Sequence, residues 1–148
     1  MFRTAITRPL RYAGLAFSLL LAGCGGGGSK GPVLAQVHGT VSLDGQPLPH
    51  ARVVFQPSGE NASPSIGETD DKGAFELAFT RRSKGALPGQ HTVRITTAGV
   101  VSDPSGKETI VLEKVPPRYN EKTELTYEVK PDANEFAIQL DTKATAKK

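Results

Sequence analysis

Apolar residues recur at every second position in segment after segment of this chain, and that period decides its fold class. Val37, Gly39, Val41 and Leu43 fall on one face of "QVHGTVSL", and Ala51, Val53 and Phe55 on one face of "ARVVFQ". The same spacing joins Phe75, Leu77 and Phe79, then Val93 and Ile95. It returns at Leu125, Tyr127 and Val129, and at Phe136, Ile138 and Leu140. A period of two is that of a strand with one face on a core and one in water. Turn signals separate the segments: Asp44-Gly45, Asp71-Lys72-Gly73, Pro88-Gly89 and Pro131-Asp132-Ala133-Asn134. Ile110-Val111-Leu112 reads as a further strand, and Ile66 lies on another. No segment past residue 24 carries a helical stripe. The pattern predicts an all-β chain, an antiparallel two-sheet sandwich of about seven strands.

The first thirty residues follow different rules. Residues 1–11 carry Arg3, Arg8 and Arg11 and no acid, and Tyr12 to Gly23 are apolar or small. Such a run is too short to span a bilayer, which takes about 20 residues of helix. A basic start, a short apolar stretch and small residues at its end make a secretory signal peptide, residues 1–23. Leu21, Ala22, Gly23 and Cys24 resemble the lipobox of bacterial lipoproteins. The resemblance implies that the Cys24 thiol takes a diacylglyceryl group, that the chain is cut before it, and that acyl chains such as palmitate follow. The alternative is a buried free cysteine behind an ordinary signal sequence. The match at all four positions, at the right distance from the arginines, favours the lipobox. Gly25 stands where the best-known sorting rule wants Asp for inner-membrane retention, so an outer-membrane location is expected. Two or three acyl chains anchor stably where one binds marginally. Residues 24–34 then form a glycine-rich tether, and eight residues of such coil reach about 15 Å.

Without those three arginines the 18 basic residues fall to 15, against 15 acidic ones. The exported part is formally neutral, and a nucleic-acid partner, which needs a clustered basic face, is not expected. With Cys24 lipidated no thiol remains for a disulfide, and the chain has no Trp, so the immunoglobulin pattern of paired Cys around a Trp is missing. Residues 35–141 suffice for one domain with its own core. Residues 142–148 read as a polar tail.

Three stretches then carry a family resemblance: "GTVSLDGQPLPHARVVF" (Gly39–Phe55), "TDDKGAFEL" (Thr69–Leu77) and "LPGQHTVRI" (Leu87–Ile95). They resemble the carboxypeptidase regulatory-like domain, a transthyretin-related (prealbumin-like, and more loosely immunoglobulin-like) β-sandwich. The resemblance covers Val37 to Leu140 and is weakest over residues 98–120. It implies a fold and says little about activity. "KVPPRYN", Lys114–Asn120, also looks like an element that recurs in small bacterial lipoproteins of this layout.

Candidate chemistry is thin. Zinc carboxypeptidases use a His-x-x-Glu ligand pair, but His38, His50 and His91 are followed at the fourth position by Val41, Val53 and Arg94. Transthyretin-like hydroxyisourate hydrolases end in Tyr-Arg-Gly-Ser, whereas this sequence ends Thr145-Ala146-Lys147-Lys148. No Gly-x-Ser-x-Gly elbow or nucleotide loop is present. Asp44, Asp70, Asp71 and Asp103 sit in predicted turns, where calcium takes oxygen ligands but where Asp also serves the backbone. Arg81, Arg82 and Lys84 form a basic loop that fits anionic headgroups or plain solvent. Pro116, Pro117, Arg118 and Tyr119 form the candidate recognition loop, since two prolines extend the backbone and Arg and Tyr are common in binding hot spots; the alternative is a crossover with Tyr119 covering a sandwich end. The expectation is a non-enzymatic, membrane-anchored envelope lipoprotein without cofactor or metal. Its partners would be membrane lipid through Cys24 and an envelope protein or glycan. A carbohydrate-binding module is the main alternative and a transthyretin-like hydrolase a lesser one.

Overall fold

The structure, a computed structural model, describes residues 31–59 and 62–143. The signal peptide, Leu21, Ala22, Gly23, Cys24 and the end of the polar tail lie outside the described residues.

Strand β1, Val37–Leu43, buries Val37, Gly39 and Val41 and exposes the residues between them, as its alternation requires. It is the spine of one sheet. Its first half pairs with β5 (Ala74–Glu76), its last two residues with β2 (Gln46–Pro47), and its other edge along its whole length with β12 (Asn134–Leu140). The second sheet has the order β11 (Thr126–Val129), β8 (Gly89–Thr96), β3 (Arg52–Pro57), β4 (Ser65–Glu68), β6 (Ala78–Thr80) and β7 (Ser83–Lys84). The two sheets face each other across a core of Val37, Val41, Val53, Phe55, Leu77, Ile95 and Ile138. This is the expected β-sandwich. A separate hairpin, β9 (Gly99–Ser102) with β10 (Glu108–Val111), stands outside both sheets. No α-helix occurs among the described residues, which include one 3₁₀ turn at Pro117–Tyr119.

Two details depart from the alternation. First, β1 and β12 run parallel, Val37 opposite Asn134 and Leu43 opposite Leu140. Alternation fixes which face a residue takes and says nothing of its neighbour's direction. Parallel neighbours need a long crossover, and nearly the whole domain supplies it here. Second, Phe75, Leu77 and Phe79 do not share one continuous strand. The chain changes sheets at Leu77, whose N–H donates to the Val37 carbonyl at 2.9 Å while its own carbonyl accepts from Gly85 N–H at 2.7 Å. Phe75 and Leu77 are buried, and Phe79 is half-buried.

Gly39 explains a gap in the apolar pattern. A Cβ there would collide with the Phe136 carbonyl oxygen and crowd the Phe75 ring. Removing it lets β12 and Phe75 close over β1. Phe55 then fills the centre, fully buried, with the rings of Phe136, His91, Tyr127 and Phe75 centred 5.7, 5.8, 6.2 and 6.4 Å away. Buried polar groups fix the loops. Thr69 Oγ1 donates to the Leu48 carbonyl at 2.6 Å and accepts from Ala51 N–H at 2.8 Å. Asn134 accepts from Lys130 N–H at 2.8 Å and donates to the Asp132 carbonyl at 2.7 Å, closing the turn of residues 131–133.

The register places the remaining parts at opposite ends. Ala35 bridges to Ala86, and Gly89, Val129 and Asn134 lie at that same end, where residues 31–35 lead in. Arg52, Glu68 and Thr96 are aligned at the other end, from which the β9–β10 hairpin projects.

Candidate functional site

The hairpin is built by polar groups and leaves its apolar ones in water. At its tip Asp103 Oδ1 accepts from Ser105 N–H at 2.9 Å, Ser105 Oγ at 2.5 Å and Lys107 N–H at 3.0 Å. Gly106 adopts φ 83°, which an L side chain resists. These bonds, from the Ser105 hydroxyl first, hold the Asp103 carboxyl below its usual range. At the root, Glu113 Oε1 accepts from Thr97 Oγ1 at 2.8 Å, Thr97 N–H at 2.9 Å and Val115 N–H at 2.9 Å, and Oε2 accepts from Thr96 Oγ1. Partial burial opposes ionisation of Glu113, but these donors outweigh it and hold the carboxyl down at about 2. Between tip and root the side chains are bare: Val100 is 60% exposed, Val101 59%, Ile110 76% and Leu112 78%. One flank of the hairpin borders a groove of about 560 Å³, whose opposite wall includes Pro49, His50, Arg52 and Glu68.

Pro116, Pro117, Arg118 and Tyr119 occupy a different position from that expected of a free loop. Pro116 precedes the 3₁₀ turn Pro117–Tyr119. The Arg118 guanidinium donates to the carbonyls of Asp141 and of Lys143, the latter at 3.1 Å, and lies 4.7 Å from the centre of the Tyr119 ring. Tyr119 Oη accepts from Asp141 N–H at 3.3 Å. Asn120 is buried, donating to the Val115 carbonyl at 3.0 Å and accepting from Arg94 Nε at 3.1 Å. The segment thus straps the end of β12 to β8 and commits its Arg and Tyr within the chain. The tyrosines on which a sugar would stack, Tyr119 and Tyr127, are both half-buried, and Tyr127 packs on Phe136 with ring centres 5.0 Å apart.

The other candidates serve the fold in the same way. Asp44 accepts from Thr142 N–H at 2.8 Å and Thr142 Oγ1 at 2.7 Å, and Asp70 from Lys72 and Ala74 N–H at 2.9 and 2.8 Å. Asp71 lies 3.3 Å from His50 Nε2 at the surface. Among the described residues no three His, Cys, Asp or Glu side chains converge as a metal site would need. Arg81 and Arg82 are exposed, and Lys84 pairs with Glu76 at 2.5 Å. His38 and His50 are exposed, whereas His91 is fully buried. Its Nδ1 lies 3.0 Å from the Gly89 carbonyl and its Nε2 has no partner. Burial lowers its pKa from 6.5, opposed by the bond to Gly89.

Sequence reasoning missed Glu113 and the exposed apolar residues of the hairpin. The available signal was "GVVS" and "ETIVL", two apolar runs without polar alternation, inside the stretch where the family resemblance is weakest.

No protein-family model matches the chain, and no curated protein matches its sequence. Among solved structures it is similar to BcpA, the major pilin subunit of Bacillus cereus, at 10% identity and a TM-score of 0.46, over 76% of this chain and 31% of that one. It is similar to a DUF3823 family protein from Parabacteroides merdae at 15% identity and a TM-score of 0.41, over 74% of this chain and 46% of that one. It is also similar to a 9R-lipoxygenase from Cyanothece at 13% identity and a TM-score of 0.40, over 74% of this chain and 16% of that one. The chain therefore spans less than half the length of each of these proteins.

Proposed function

We propose that the chain is a non-enzymatic envelope lipoprotein, exported and held through an acylated Cys24 in the outer membrane. Its sandwich, a carboxypeptidase regulatory-like domain, serves as a binding or scaffolding module. The projecting β9–β10 hairpin carries this reading. Scattered apolar residues are ordinary on a protein surface, but a projecting arm that leaves Val100, Ile110, Leu112 and, on its other face, Val101 in water supports reading it as an interaction surface. Val100, Val101, Ile110 and Leu112 cost nothing to desolvate in polar terms and are held ready by Asp103 and Glu113. The arm lies at the end of the domain away from residues 31–35.

The recognition loop becomes support for that surface rather than the surface itself. Arg118 and Tyr119 brace β12, and Asn120 holds the chain just beyond the root of the arm. Two experiments test the two halves of the proposal. Cys24→Ala should leave an unprocessed, unlipidated precursor that fractionates apart from wild type; identical processing and fractionation would remove the anchor. In crosslinked affinity capture from its own envelope, Val100→Ser with Ile110→Ser should lose the capture product that wild type yields. Retention of that product would move the docking surface elsewhere.

A further inference from the structure

β8 has β3 on one side and β11 on the other, and His91 on β8 faces inward and is fully buried. Pro57 of β3 and Tyr127 of β11 stand opposite it, and the Phe55 ring is centred 5.8 Å away. A carbonyl oxygen can only accept, so the contact between Nδ1 and the Gly89 carbonyl places the ring proton on Nδ1. Nε2 is then the bare lone pair, and it is buried without a partner. Such a site suits the neutral imidazole alone. A second proton would create a charge and a new N–H donor together, with nothing to receive either.

No neighbouring group offsets that charge. His91 is the only buried Asp, Glu, His, Lys or Arg side chain among the described residues. The inward positions of β1, β3, β5 and β12 are apolar apart from Asn134. β11 offers one titratable group on that face, Tyr127, whose phenol burial pushes up. Arg94 of β8 and Glu128 of β11 alternate to the outer face and are exposed, as are Lys130 and Asp132 in the turn beyond β11.

We propose that His91 is an acid-operated latch: on taking up a proton it releases β11 from β8 and uncovers the aromatic cluster beneath. The topology decides which strand yields. β3 is bonded on both sides, to β8 and to β4. β11 ends its sheet and is paired along its four residues with β8 alone. A short strand with one neighbour opens at lower cost than one with two. β11 also carries the cover of the cluster, since the Tyr127 ring is centred 5.0 Å from that of Phe136 and 6.2 Å from that of Phe55. With β11 displaced, water reaches Nε2, Phe136 loses its cover, and the edge of β8 is left unpaired, a template for an added strand. Burial holds the pKa of the closed state below 6.5, opposed by the bond to Gly89. The open state titrates at the ordinary value. Between the two values each pH unit of acidification favours opening by about tenfold, and above the higher one the latch stays shut.

Hydrogen exchange on the full chain in detergent, at about pH 7.5 and about pH 5, tests this across the range where histidine titrates. Exchange is read as protection relative to unstructured peptide at the same pH. In wild type, protection over residues 126–129 should fall by about tenfold on acidification while β1 and β3 keep theirs. His91→Phe and His91→Leu, neither of which titrates, should show no such fall. Equal losses across β1, β3 and residues 126–129 would mean that the whole domain loosens and that no latch exists. Unchanged protection in wild type, or the same fall in both variants, would overturn the role of His91.

Discussion

The body of the sandwich and its arm use similar side chains in opposite ways. In the body, Phe55, Val53, Val93 and Ile95 are sealed from water and the strands follow from their burial. In the arm, Val100, Ile110 and Leu112 are exposed, and the strands are held by the carboxylates of Asp103 and Glu113. Burial of a side chain of this kind stabilises by about 1.5–3 kcal/mol, while an exposed aliphatic contributes little to folding. The shape of the arm is therefore nearly independent of the residues it displays. That separation lets a small domain change what it binds without changing how it folds.

The comparison breaks most visibly at the centre of the body. Phe55→Ala removes the ring that four other rings contact, and should cost about 3–5 kcal/mol in chemical denaturation. A loss under about 1 kcal/mol would mean that the core is not built around this residue. The effect at the arm's root should be smaller and local. Glu113→Gln should loosen the arm by about 1 kcal/mol, a carboxylate bond discounted for its exposure. Hydrogen exchange should rise across residues 99–111 and stay unchanged in β3 and β8. The same loosening should appear in wild type as the pH falls from 4.5, the ordinary value, through about 2. Above 4.5 the carboxylate contribution is fully present.

His91 sharpens the comparison from the side of the body. Its pKa in the fold lies below 6.5, so the unfolded chain takes up a proton first as the pH falls. Its contribution is present above pH 6.5 and is lost on acidification toward the folded value. No charged side chain shares its inward face on the neighbouring strands, where Pro57 and Tyr127 lie opposite it. Denaturation midpoints should decline between pH 7 and pH 5 in wild type and decline less in His91→Phe, which fits the aromatic cluster. Equal pH slopes in the two proteins would show that His91 is not the titrating group. The smallest effect on stability belongs to the arm's display residues. Ile110→Ser should shift stability by no more than about 0.5 kcal/mol.

Much of the body was legible in advance, and the reason is physical. Strand faces follow from alternation, and turns from Asp-Gly and Pro-Gly pairs, both of which are local. The parallel pairing of β1 with β12 was not legible, because its determinant is long-range. It depends on Gly39 making room for Phe136, and a glycine in a strand looks like a weakness until its neighbour is known. The strand break at Leu77 was hidden for the same reason. The exposure of the arm was hidden for another reason. Ile110-Val111-Leu112 reads as a further strand, and Glu108–Val111 is one, but only the placement of β9 and β10 outside both sheets shows Ile110 and Leu112 facing water. Arg118 and Tyr119 have the composition of a recognition loop, and their partners, the backbone of Asp141 and Lys143, are more than twenty residues away.

The most direct test of the division between body and arm is one variant measured twice. Val100, Ile110 and Leu112 are changed together to Ser, and the full chain is compared with wild type in equilibrium denaturation and in envelope crosslinking. The account predicts a denaturation midpoint close to that of wild type and the disappearance of the crosslinked complex. A large fall in the midpoint would show that these residues hold the fold, and an undiminished complex would show that they do not form the docking surface.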